Sequence, residues 1–274
     1  MKDLVSIITP VFNGEHTIES TIKSVLNQSY ENWELIIVND GSKDSTLKIA
    51  KKYSCDKIIV IDSENCGVSN ARNLAVSFSR GKYLVPLDAD NTLESDFLIS
   101  CIKKFEIDSN LRLVYTEANL FGDDSGLWNL PKYNYKTMLH FNMIDNCAMF
   151  FKDDFNRVGG YRLNMINGLE DWDFWIALLS VYEDNQVCKI DLPLFNYRVS
   201  KSSRRMTLLK SRKFDSMLQN IVLNNFEVYN SHFPEIHNRI ISYDYHRNVL
   251  KKWPVRILVS AMNTFHNLKL KIIN

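Results

Sequence analysis

No apolar run reaches the roughly 18 residues a spanning helix needs, so the 274-residue chain shows no transmembrane segment to expect. The first apolar piece, residues 4–8, is followed by Thr9-Pro10 and is too short for a signal-peptide core. It reads as a first strand. Cysteine is sparse: Cys55, Cys66, Cys101, Cys147 and Cys188 are odd in number, widely scattered and form no Cys-x-x-Cys. Free thiols in a reducing cytosol are the expectation. Histidine is missing altogether between His140 and His232. Internal repeats and low-complexity tracts are absent as well. What remains is an ordinary globular composition, 45% hydrophobic and 24% charged, long enough for one large domain or a domain with an appendage.

A net charge of +1 conceals an asymmetry. Residues 1–200 carry 20 Lys+Arg against 28 Asp+Glu, a balance of −8, and residues 201–274 carry 13 against 4, a balance of +9. The basic C-terminal part fits an anionic membrane surface at least as well as a nucleic acid.

Apolar strand-like runs alternate with helical spacing along the first two thirds of the chain. Strands are expected over 4–9, 33–38, 57–61, 83–87 and 111–119, and helices over 17–27, 45–53, 68–79 and 95–106. The alternation predicts βαβ units. The fold class is therefore α/β: a mostly parallel, Rossmann-like central sheet with helices on both faces. Residues 122–135 read as a loop carrying Trp128, 146–152 as a strand, 159–161 as a turn, 170–182 as a helix and 193–199 as a short strand. A boundary is expected after residue 200. Residues 1–200 form the predicted catalytic domain, and 201–274 a basic helical extension.

The run Tyr83-Leu84-Val85-Pro86-Leu87 ends in Asp88-Ala89-Asp90. A buried strand that delivers two acids to its C-terminal end presents them in the crevice where open α/β sheets bind ligands. Magnesium and manganese favour such oxygen donors, held by one or two carboxylates plus substrate phosphates. Asp171-Trp172-Asp173 has the same Asp-x-Asp spacing, so position rather than spelling singles out Asp88 and Asp90. Three other stretches stand at strand ends. Thr9-Pro10-Val11-Phe12-Asn13 offers a flat aromatic face, or a plain turn with a buried Phe. Asn39-Asp40-Gly41-Ser42 offers a carboxylate able to accept a base N–H, or ordinary turn chemistry. Asn65-Cys66-Gly67-Val68-Ser69-Asn70-Ala71-Arg72-Asn73 offers a tight turn and a guanidinium for phosphate or ribose, or a simple helix cap. Glu170-Asp171-Trp172-Asp173 opens a helix, where acids are favoured by the dipole whatever their role. There Asp171 is a candidate general base, with Trp172 placed to pack on a sugar ring.

In this order the five stretches resemble the family 2 glycosyltransferases, over residues 4 to about 200. The resemblance implies the A-type glycosyltransferase fold, a nucleotide-diphosphate sugar donor (UDP-sugar first), a divalent metal, Mn²⁺ or Mg²⁺, and inversion at the anomeric carbon. It places Pro10, Phe12, Asn13 and Asp40 around the nucleoside and Arg72 and Asp88 near ribose and phosphate, with Val11, Asn65, Gly67 and Ala89 also in the nucleotide-sugar site. It makes Asp90 the metal-binding acid and Asp171 the base, with Glu170 and Trp172 on the acceptor side. Some relatives add a late histidine to the metal. The gap between His140 and His232 predicts that Asp90, the diphosphate and water suffice. Arg198, in Tyr197-Arg198-Val199-Ser200, falls where it could help hold the diphosphate.

The implied acceptor is a saccharide or lipid-linked saccharide used in surface polysaccharide or glycoconjugate synthesis, and nucleic acid is not expected. Helices are predicted over 206–229 and 236–250. A last one after Pro254 carries an apolar stripe of Leu258, Met262, Phe265, Leu268 and Ile272. That stripe either packs on the domain or rests on the cytoplasmic face of a membrane. The expected location is accordingly cytoplasmic, with peripheral membrane contact as the alternative for the tail. Two rival readings remain open. A non-catalytic nucleotide-sugar-binding or scaffold protein would not need Asp171. A sugar nucleotidyltransferase would want a basic Gly-rich loop that residues 10–16 do not provide.

Overall fold

The structure, a computed structural model, describes residues 3–200, 207–208, 211 and 213–233. The chain runs β1 (Val5–Val11), α1 (Ile18–Leu26), β2 (Trp33–Asp40), α2 (Thr46–Lys51), β3 (Ile58–Ser63), α3 (Val68–Phe78) and β4 (Tyr83–Pro86). It continues through β5 (Thr92–Leu93), α4 (Phe97–Ile107), β6 (Leu113–Gly122), β7 (Gly126–Trp128), α5 (Tyr135–Met138), β8 (Ala148–Phe151), α6 (Lys152–Val158), α7 (Glu170–Leu179) and β9 (Val187–Val199). Helices α8 (Lys213–Asn224) and α9 (Phe226–His232) follow.

Eight strands form one path in the order β3-β2-β1-β4-β8-β6-β9-β5, with β7 hung on β6. Strands β3, β2, β1 and β4 pair in parallel, and β9 runs parallel to β6. The antiparallel pairings of β8, β5 and β7 complete the far half. This is the expected α/β sheet with helices on both faces.

Because side chains alternate along a strand, neighbours in β1, β2 and β4 feed two separate cores. Ile8, Ile36, Val38 and Leu84 pack with Ala71 and Ala75 of α3 and Phe174 and Trp175 of α7. Ile7, Leu35, Ile37 and Val85 pack with Ile18 and Ile22 of α1 and Phe97 and Cys101 of α4. All seven residues of β1 and all eight of β2 are buried. Burial on both faces explains why these strands are mostly apolar; near their starts the buried Ser6 hydroxyl donates to Glu34 Oε1 at 2.7 Å.

Several elements depart from the expectation. Residues 122–135 were expected to be loop throughout but contain β7. The turn residues at 159–161 are preceded by a full helix, α6. Strand β9 begins at Val187 rather than 193. It stays paired with β6 through Asp191-Leu192-Pro193 by shifting register between Thr116 and Ala118, so a stretch that interrupts the alternation is absorbed as a bulge.

The boundary expected after residue 200 falls beside undescribed residues. The described part of the extension is packed on the domain: Met217, Ile221 and Tyr229 enter the same core as α7, and the Tyr229 hydroxyl donates to Leu139 O at 2.9 Å. The helix expected over 236–250 and the apolar stripe after Pro254 lie outside the described residues. Among the described residues no helix is long and apolar enough to cross a membrane.

Candidate active site

Strand register places the predicted stretches along one edge of the sheet. Val11 pairs with Asn39 and Asn39 with Asp62, while Ile8 stands beside Pro86, two residues before Asp88. The ends of β1, β2, β3 and β4 therefore open into one crevice.

At the β1–β2–β3 end lies a groove of about 720 Å³ whose lining includes Phe12, Asn39, Gly41, Ser42, Asp62 and Asn65. Phe12 is 51% exposed, an aromatic face bare to solvent, whereas Pro10 and Val11 are buried in β1. Asn13 sits at φ 51°. Its N–H donates to Ser42 Oγ at 2.9 Å and its Oδ1 accepts from Lys43 N at 2.8 Å. Gly14 N–H donates to Thr46 Oγ1 and Glu15 N–H to Asp44 Oδ2. The two loops are thus laced into a rigid groove wall.

The alternation of β2 assigns its last two side chains to opposite faces. Asp40 continues the Ile36–Val38 series toward α3. There its two oxygens accept Cys66 N–H at 2.8 Å and Gly67 N–H at 3.0 Å, with Gly67 at φ 89°. Asp40 therefore holds the turn into α3. Asn39 continues the Leu35–Ile37 series and donates to Asp62 Oδ1 at 2.7 Å. It is 1% exposed, and its Oδ1 has no hydrogen-bond partner. Asn39 and Asp62 were not singled out from sequence. Their signal was the strand-end register, which requires knowing that β2 and β3 are neighbours.

Asp88 continues the Leu84–Pro86 series and faces α3. Arg72 of α3 donates to Asp88 Oδ1 through Nη2 at 2.6 Å and to Glu170 Oε1 of α7 through Nη1 at 2.9 Å. Its side chain is 2% exposed, against 38% for Asp88 and 5% for Glu170. Burial works against the Arg72 charge, but Asp88 and Glu170 outweigh it and hold the guanidinium protonated. The sequence reading sent Arg72 to a phosphate or ribose and Glu170 to the acceptor. The structure joins the two to each other.

Beneath Arg72 lies the Tyr161 ring, 5.1 Å from the guanidinium carbon. The Tyr161 backbone is gripped by Asn73, whose Nδ2 donates to Tyr161 O and whose Oδ1 accepts Tyr161 N–H. Tyr161 O–H donates to Asn146 Oδ1 at 3.1 Å.

Asp90 is partly buried, and that burial together with neighbouring Asp88 raises its carboxyl to about 6. Arg198 donates through Nε to Asp90 O at 3.1 Å and stacks over Phe121. Ala89, between the acids, packs against the α1–α4 core. Among the described residues no group of three or more His, Cys, Asp or Glu is clustered to hold a metal. The donor set is nonetheless of the right kind for a hard cation. Two nearby carboxylates offer only oxygen, and their mutual repulsion, which helps raise Asp90, is what a divalent ion would relieve.

Across the crevice, Asp171 stands in the first turn of α7. Burial and the adjacent Glu170 raise its carboxyl to about 6, against the pull of Arg72. Its Oδ2 accepts from Asn142 Nδ2 at 2.8 Å. Trp172 is buried in the core, with its indole N–H donating to Met138 O at 2.7 Å.

A doubly wound sheet with a groove over its first three strand ends, paired acids on the fourth and a carboxyl with raised affinity for its proton opposite defines an A-type glycosyltransferase fold. The glycosyl transferase family 2 profile matches residues 6–163, and the chain belongs to that family. It is 30% identical over 247 residues to a chondroitin synthase of Pasteurella multocida, covering 86% of this chain and 25% of that one. It is also 30% identical over 220 residues to the UDP-Glc:alpha-D-GlcNAc-diphosphoundecaprenol beta-1,3-glucosyltransferase WfgD of Escherichia coli, covering 78% of this chain and 82% of that one. The chain spans about a quarter of the length of the chondroitin and hyaluronan synthases of Pasteurella multocida that it matches. Among solved structures, S. aureus TarS 1-349 in complex with UDP-GlcNAc superposes with a TM-score of 0.66 at 16% identity, over 82% of this chain and 66% of that one.

Proposed function

We propose that this chain transfers a sugar, with inversion, from a UDP-sugar to a hydroxyl of a saccharide or lipid-linked saccharide during surface polysaccharide or glycoconjugate synthesis. One observation carries the reading. Arg72 ties the strand-end acid Asp88 to Glu170, so the nucleotide side of the crevice and the base-bearing start of α7 form one ionic unit centred on a buried arginine. The names of two similar proteins support the donor and acceptor classes: WfgD takes UDP-Glc and a diphosphoundecaprenol-linked sugar, and TarS holds UDP-GlcNAc.

In this reading the nucleoside lies in the groove, with its base against Phe12 and its polar edge toward Asn39. Asp88 meets the ribose or phosphate side. Asp90 would hold a divalent cation, Mn²⁺ or Mg²⁺, with Arg198 beside it. A cation bound there supplies positive charge to offset the leaving diphosphate. Asp171 accepts the proton of the attacking hydroxyl; a carboxyl near 6 is ionised at neutral pH yet basic enough to take that proton. Glu170 and Trp172, both buried, would act on the acceptor side by fixing the α7 terminus. A protein that only binds a nucleotide sugar has no need of Asp171. The basic C-terminal residues would bring the enzyme to an anionic membrane surface and a lipid-linked acceptor.

Calorimetric titration with UDP, with and without Mn²⁺, tests the donor and metal assignments together. Wild type should bind UDP more tightly with Mn²⁺, and Asp90→Ala should lose that gain. Equal Mn²⁺ enhancement in Asp90→Ala would refute the assignment of the metal to Asp90.

A further inference from the structure

The loop between α5 and β8, residues 139–147, overlaps the strand expected over 146–152 only at its last two residues, since β8 begins at Ala148, and the sequence points to no site there. Its middle is anchored by Met143 and Ile144, 3% and 1% exposed. On either side of that plug stands an asparagine. Asn142 donates to Asp171 Oδ2 at 2.8 Å. Asn146 stands 3.5 Å from Asp88 Oδ1 through Nδ2 and accepts the Tyr161 hydroxyl. One short loop therefore brackets the crevice, with an amide at the proposed base and another at the strand-end acid.

We infer that Asn142 is a positioning residue for the proposed base, orienting the Asp171 carboxylate and favouring its ionised form. The inference rests on Asp171 being the base. The orientation of the amide is set within the loop. Asn142 Oδ1 accepts Ile144 N–H at 3.4 Å, which leaves the NH₂ group to face Asp171. An ionised carboxylate only accepts hydrogen bonds, so an NH₂ donor matches that form. The Trp172 backbone N–H also donates to the Asp171 carboxylate, and with about four acceptor sites the group still has room for the acceptor hydroxyl. Among the described residues the charged or titratable groups that act on Asp171 include Glu170 on its own helix, Arg72 from α3, Asp88 after β4 and Tyr161. Arg72 favours ionisation while Glu170 and Asp88 oppose it. Asn142 adds a neutral donor to this set.

The test needs no substrate. Protein labelled with ¹³C at the Asp carboxyl carbons is titrated by NMR, and the Asp171 resonance is assigned by its loss in Asp171→Asn. In Asn142→Ala the Asp171 titration should move upward by about one pH unit, a roughly tenfold drop in ionised fraction at a fixed lower pH. Asn142→Asp, which sets a like charge against Asp171, should move it further. Asn142→Ser, retaining a short donor, should fall between Asn142→Ala and wild type and covers the case in which Asn142→Ala fails to fold. An unmoved titration in Asn142→Ala, or in Asn142→Ser if that must stand in, overturns the inference. Failure of the base reading shows separately, as undiminished UDP release from a UDP-sugar by Asp171→Asn.

Discussion

Arg72 Nη2 lies 2.6 Å from Asp88 Oδ1 across 16 residues of sequence, with the arginine side chain 2% exposed and the aspartate 38% exposed. The pair spans the boundary between protein interior and crevice. A fully buried cation whose partner is open to solvent holds that partner in place, so Arg72 orients Asp88 while Asp88 stays available to a ligand.

Removing Arg72 leaves Glu170 buried without its guanidinium. Arg72→Met should cost about 3–5 kcal/mol of stability, the usual penalty for breaking one side of a buried ion pair. Arg72→Met combined with Glu170→Gln should recover part of that loss, because the stranded charge is gone. Urea denaturation of the two variants beside wild type measures both effects. A single variant as stable as wild type would show that the buried unit is not structural.

Asp171 yields a stability prediction with a definite sign. Its carboxyl titrates at about 6 in the folded protein and near about 3.9 in an unfolded chain. Between these values the folded state keeps a proton that the unfolded state has lost. Stability therefore falls as pH rises through that window and remains at the lower level at neutral pH. Asp171→Asn removes the titration. It should melt above wild type at neutral pH, and the gap should close below about pH 4. Melting curves across this range check the prediction; a wild type more stable than Asp171→Asn at neutral pH contradicts it.

Gly41 couples backbone geometry to the groove. It sits at φ +72°, and a Cβ there would lie 2.7 Å from Asn65 N. Left-handed backbone costs a non-glycine residue about 1–2 kcal/mol, and the clash adds to it by pushing on Asn65 at the groove rim. Gly41→Ala should lower the melting temperature and weaken UDP binding together. UDP affinity unchanged in a destabilised variant would separate the groove from this turn.

Much of this arrangement was legible in the sequence, for a physical reason. Strands β1, β2 and β4 are buried on both faces, so they appear as mostly apolar runs that end in polar groups. Those stops are strand ends, which is why Phe12, Asp40, Asp88 and Asp90 stood out as candidates, although Asp40 holds the turn into α3. The partners of these residues were not legible. Arg72 meets Glu170 across 98 residues, and a sequence offers an arginine no indication of which acid it will face. Asn39 and Asp62 converge only because β2 and β3 are neighbours. Asn142 sits in a loop with no periodicity, and Asn146, expected as the start of a strand, precedes β8 instead. Strand β5, with two residues, was too short to leave a pattern, and β9 hid its first half behind the bulge at Asp191-Leu192.

UDP release reports most directly whether Asp171 is the base of a UDP-sugar transferase. Wild type and Asp171→Asn are each given UDP-glucose and UDP-GlcNAc with Mn²⁺, with dTDP- and GDP-sugars as controls. Wild type should release UDP from a UDP-sugar. Asp171→Asn should release it about 10²–10⁴-fold more slowly, with UDP binding intact. Undiminished release by Asp171→Asn, or no release by wild type from any UDP-sugar, would contradict the account.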